Sequence, residues 1–149
     1  MKKYLFLNLL IIIFLAGCSS KVLNEQMMIN TNEDNSPTAF VQMTAVANKS
    51  IYSSYEQVIL NIELLSNQDL SDVLVEAIGI TSRLNINYFD QSQLVSLQKN
   101  TVKKITLSQT LPSCNSCSGL APGNYTITVT ADYQGKILAT KKINLTIKQ

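Results

Sequence analysis

A chain of 149 residues has room for one domain with a tail, and 46% hydrophobic against 15% charged residues excludes a disordered acidic chain. Twelve Lys and Arg oppose ten Asp and Glu, and removing Lys2 and Lys3 with a leader leaves ten against ten, so nucleic acid is excluded as a partner. Histidine is absent, which excludes Ser-His-Asp and Cys-His catalysis, His-ligated zinc and histidine pH switching.

Residues 1–3 form a basic start, residues 4–15 (YLFLNLLIIIFL) an apolar run, and Ala16-Gly17-Cys18 a small-residue cut site. Such a pattern predicts a secretory signal peptide over residues 1–17. A membrane-spanning helix needs about 20 apolar residues, and the polar residues from Ser19 end the run too early. Leu15-Ala16-Gly17-Cys18 resembles the lipobox of prokaryotic lipoproteins. That resemblance implies cleavage before Cys18, acylation of its thiol, and anchoring of the new N-terminus in the lipid bilayer. Ser19 in the next position implies outer-membrane delivery in a two-membrane bacterium.

Residues 18–38 read as the lipidated N-terminus and a flexible tether, rich in Asn, Ser, Glu and Thr and closed by Asn35-Ser36-Pro37. About 20 such residues have a root-mean-square reach of roughly 25 Å. Within it, Met27-Met28-Ile29 is a candidate extra strand or docking segment, and Asn32-Glu33-Asp34 reads as a solvated run.

From Ala39 the pattern becomes alternation, the mark of half-buried strands. A weak strand is expected over 39–47. Val58, Leu60, Ile62 and Leu64 then share one face of a strong one. Weaker strands are expected over 73–80, 84–89 and 102–111. Tyr125, Ile127, Val129, Ala131 and Tyr133 oppose Asn124, Thr126, Thr128, Thr130 and Asp132 with a period of two. Ile137, Ala139, Ile143, Leu145 and Ile147 repeat that pattern, with Lys141 as a misfit at a bulge or an edge. Gln134-Gly135 between the last two strands predicts a tight hairpin turn. About seven strands over residues 39–149 predict an all-β, antiparallel sandwich.

Two motifs carry a family resemblance. Tyr55-Glu56-Gln57-Val58-Ile59-Leu60-Asn61-Ile62 resembles the second strand of immunoglobulin-like bacterial surface domains, and Leu120-Ala121-Pro122-Gly123-Asn124-Tyr125-Thr126-Ile127-Thr128-Val129 their sixth. Fibronectin type III modules and the bacterial cell-adhesion-related domains share this pattern. The resemblance implies a tyrosine, here Tyr125, whose hydroxyl ties the preceding corner to the backbone. It implies binding, adhesion or scaffolding of a protein or glycan partner, without a cofactor and without catalysis. No core tryptophan is present, in contrast to antibody domains.

Cys114-Asn115-Ser116-Cys117 is the one unusual local feature. With Cys18 acylated, Cys114 and Cys117 are the cysteines left in an oxidising compartment, which makes them a candidate disulfide. A redox-active pair and a metal-handling pair are the alternatives. No predicted helix N-terminus activates the thiols, and two thiolates lack two further ligands. Asn67, Asp69 and Asp72 share one predicted loop and are a weak candidate cation site. Ser96-Leu97-Gln98-Lys99 matches Ser-x-x-Lys by chance, since its companion motifs are missing. Glu63 and Glu76 form a candidate cross-strand carboxylate pair, and Tyr52 with Tyr55 a candidate aromatic patch or corner.

Overall fold

A pleated chain turns alternate side chains to opposite faces, so a period of two becomes a strand with one dry face. The structure, a computed structural model, describes residues 38–114 and 118–149. The leader, Cys18, the tether up to Pro37 with its Met27-Met28-Ile29 and Asn32-Glu33-Asp34 segments, and Cys117 lie outside the described residues. Within them run β1 (Val41–Ala47), β2 (Ile51–Tyr52), β3 (Gln57–Ser66), β4 (Leu70–Thr81), β5 (Asn87–Leu97), β6 (Val102–Thr110), β7 (Gly123–Tyr133) and β8 (Lys136–Ile147). Two sheets result, one ordered β1-β3-β6 and the other β2-β8-β7-β4-β5. The strands pair antiparallel except β2, which lies parallel to β8 through Ile51↔Thr146 and Tyr52↔Ile147. The expected antiparallel sandwich is present, and the two-residue β2 is the strand that the alternation did not announce.

The dry faces meet as the periodicity requires. Val58, Leu60, Ile62 and Leu64 of β3 are buried, as are Val73, Val75 and Ala77 of β4 and Ile127, Val129 and Ala131 of β7. Each large aliphatic side chain among them contributes roughly 1.5–3 kcal/mol by leaving water. Gly79 of β4 has no room for a side chain: a Cβ there would stand 2.3 Å from Thr126 O and 2.6 Å from Ile127 Cα of β7.

On β8 the expected face holds for Ile143, Leu145 and Ile147, which are buried, but fails at Ile137. Ala131 pairs with Ala139 while Asp132 pairs with Ile137, so Leu138 is an extra residue in the ladder. That bulge puts Ile137 on the outward face, where it is 60% exposed. Lys141 is no bulge. It pairs with Val129 in regular register, on a strand that β2 covers only at Thr146 and Ile147. A charge beside an uncovered strand edge discourages a foreign strand from adding there. The turn before β8 follows expectation: Gln134 and Gly135 have φ of 55° and 80°, and Gly135 N donates to Asp132 Oδ1 at 2.8 Å.

The strand expected over 84–89 is displaced. Leu84 and Ile86 sit exposed in a turn, and β5 begins only at Asn87 and runs to Leu97. The buried Ser82 hydroxyl holds that turn by accepting from Leu84 N and Ile86 N, each at 3.2 Å. A strand at a sheet edge buries little of its outward face, so Asp90-Gln91-Ser92-Gln93 gave no apolar signal.

Candidate functional site

Three connections gather at the end of the sandwich where β3 and β7 begin: residues 53–56, 82–86, and 111–114 with 118–122. Leu111 N donates to Glu56 O at 2.9 Å, Arg83 N to Gly119 O at 3.1 Å, and Cys114 N to Ser54 Oγ at 2.9 Å. Tyr88 Oη donates to Ser118 O. Tyr125 Oη donates to Ala121 O at 2.6 Å and accepts from Ala121 N at 3.2 Å, which is the tyrosine tie that the resemblance implied.

Cys114 is half-buried against the core, its thiol is free, and its Sγ lies 3.9 Å from Lys148 O. It lines a pocket of about 360 Å³ together with Arg83, Leu84, Leu120, Pro122 and Gln149. Gly119 stands at φ 66°, and a Cβ there would come 2.9 Å from Leu84 Cγ, so the pocket wall is drawn in tightly. Cys117, the other half of the candidate pair, is outside the described residues.

The remaining candidates are dispersed. Asn67 clamps the incoming chain, its Oδ1 accepting from Phe40 N at 2.9 Å and its Nδ2 donating to Thr38 O at 3.2 Å. Asp69 Oδ1 accepts from Lys99 N at 2.7 Å, and Asp72 sits in a β4 bulge at φ 56°. No three His, Cys, Asp or Glu side chains converge among the described residues. Glu63 and Glu76 belong to different sheets, and Glu63 instead pairs with Lys104 at 2.9 Å. Ser96 lies on β5 and Lys99 in the turn beyond it. Tyr52 and Tyr55 part company: Tyr52 is fully buried with Oη donating to Asn48 Oδ1 at 2.6 Å, while Tyr55 is 71% exposed.

Ser54, Ser82 and Tyr88, which hold this end together, belong to no sequence motif. Among the described residues, electrostatic tuning falls on surface pairs. The Ser53 backbone N–H and then the Lys49 ammonium hold the Glu56 carboxyl below its ordinary 4.5. Glu63 raises Lys104 above 10.5, first by its hydrogen bond and then by its charge.

No protein-family model matches the chain, and no curated protein matches it. Solved structures do. The CARDB domain of a Pyrococcus furiosus protein aligns at a TM-score of 0.52 and 14% identity, covering 72% of this chain and 95% of that one. The sporulation control protein of Bacillus subtilis aligns at 0.52 and 13%, covering 74% of this chain and 50% of its own. A β-glucosidase from Erythrobacter marinus aligns at 0.57 and 13%, with 74% and 16% coverage. The chain therefore spans half or less of the latter two proteins, and at these identities the likeness establishes fold alone. The fold is an immunoglobulin-like β-sandwich.

Proposed function

We propose that this chain is a lipid-anchored, non-catalytic binding module of the cell envelope. The observation that carries the reading is Leu15-Ala16-Gly17-Cys18 directly after an apolar run. Cys18 is the acylated N-terminus, residues 18–38 are the tether, and the sandwich presents its loops and edges to a protein or glycan outside the cytoplasm. Two or three acyl chains, at about 0.8 kcal/mol per buried methylene, make such an anchor durable. Asn67, Asp69, Ser82 and Tyr125 hydrogen-bond to the domain's own backbone and serve its architecture. Cys114 and Cys117 close a loop disulfide on export, each thiol giving up one electron and one proton to the oxidant of that compartment.

Mass spectrometry of the native N-terminus tests the anchor. An acylated Cys18 and partition into detergent, lost in Cys18→Ser, are the expected results. An uncut Met1 or an unmodified Cys18 overturns it. The half-buried Cys114 thiol beside a pocket favours one second reading, thiol exchange with a partner protein. Rapid exchange with glutathione would select that reading, and a pair that resists mild reductant would reject it.

A further inference from the structure

The sandwich leaves four strand edges without a full-length partner, and they are not equivalent. β1 is uncharged and regular in register, but it spans only seven residues, and its outward positions are Gln42, Thr44 and Val46 rather than a row of leucines. The uncovered length of β8 is broken by the Leu138 bulge and carries Lys141 and Lys142. β6 opens with Lys103 and Lys104. Charges and bulges of this kind are how edge strands refuse additional strands. β5 carries a single charge, Asp90 near its start, and the extra residue in its ladder belongs to β4. β5 spans eleven residues, ends the five-stranded sheet, and is uncharged from Gln91 through Leu97. At the middle of that run Leu94 is 63% exposed, and its cross-strand neighbour on β4, Leu74, is 36% exposed.

We propose that the free edge of β5 pairs antiparallel with the same edge of a second copy of this chain, about a two-fold axis at Leu94. Self-pairing about a two-fold axis puts the axial residue opposite its own copy and every other residue opposite the one equally far on the other side, so a charge at the axis would meet its like and repel it. The run Gln91-Ser92-Gln93-Leu94-Val95-Ser96-Leu97 brings no such clash. In this register Leu94 meets its counterpart, Ser92 meets Ser96, and the charged Asp90 meets Gln98 rather than a second aspartate. Outward residues meet outward residues, because the pairing keeps the parity of the pleat. The Leu74–Leu94 row then continues across the junction into the second copy's row, and four half-exposed leucines cover one another. A single strand pair buries less than a standard interface, so the association is weak in dilute solution.

Trapping suits a weak complex. Directly opposed residues in an antiparallel ladder have Cα atoms about 4.5–5.5 Å apart, within disulfide reach. The full chain in detergent, mildly oxidised, would carry Leu94→Cys or Ser96→Cys, with the wild type giving the background of its three native cysteines. Both positions are exposed and outward on the same strand. Leu94→Cys should yield a covalent dimer well above that background. Ser96→Cys should not, because its counterpart lies four residues, roughly 13 Å, along the ladder. No dimer from Leu94→Cys, or equal dimer from both positions, overturns the proposal. An excess from Ser96→Cys overturns it too.

Discussion

Tyr125 closes a corner through one oxygen, and its energetic weight divides between that oxygen and the ring. Tyr125→Phe removes both hydrogen bonds to Ala121 and should cost about 1–2 kcal/mol in urea denaturation. Tyr125→Ala also opens a gap at the start of β7, and should cost more, about 2–3 kcal/mol, because the ring is half-buried. Thr128→Ala, on the outward face, should cost under about 1 kcal/mol. Equal costs for Tyr125→Ala and Thr128→Ala would mean that the faces of β7 are assigned wrongly. Gly79 argues from lack of space. Gly79→Ala would drive a methyl into the β7 backbone, so a substitution that normally favours a strand should destabilise by about 1–3 kcal/mol. Sequence alone does not locate that contact, since glycine inside a strand signals a close approach without naming the neighbour.

Whole strands were legible where both faces of the sheet differ in character. β3 and β7 have a dry face against the core and a wet face against solvent, and their alternation was read correctly to the residue. β5 and β8 resisted for separate physical reasons. β5 lies at an edge, so its hydrophobic signal is diluted. β8 carries one residue too many, so a pattern counted by twos puts Ile137 on the wrong side of the sheet. Substitution distinguishes the two assignments. Ile137→Thr should change stability by no more than about 0.5 kcal/mol, whereas Leu145→Ala, with its side chain buried, should cost about 2–5 kcal/mol. The loop end was only half legible: the Pro-Gly corner and the tyrosine gave themselves away, but Ser54, Ser82 and Tyr88 contribute by where other strands place them.

For the molecule as a whole, acid and reduction probe different parts of the same end. Glu56 is held below its ordinary value, so it contributes stability above about pH 4.5 and loses it as pH falls through the lowered value. The stability difference between wild type and Glu56→Gln should therefore narrow progressively through acidic pH. The double variant Cys114→Ser, Cys117→Ser should still fold with unchanged strand content and melt somewhat lower, since closing so short a loop is worth about 2 kcal/mol at most. Unfolding of that variant at room temperature would make the loop far more central than its place at the rim suggests.

The parallel seam between β2 and β8 has a mechanical meaning. β1 enters beside the end of β3, and tension on the N-terminal side peels it from Val41↔Ser66 onward, one pair after another. β2 runs alongside the final strand, and Thr146 N→Ser50 O and Lys148 N→Tyr52 O flank its two register pairs at 2.9 and 2.8 Å. Pulling the two chain ends apart loads those bonds together, along the strands, so they must slip at once rather than unzip. A domain tugged from its tether while something grips its far end should thus yield in two stages, a soft one at β1 and a stiff one at β2.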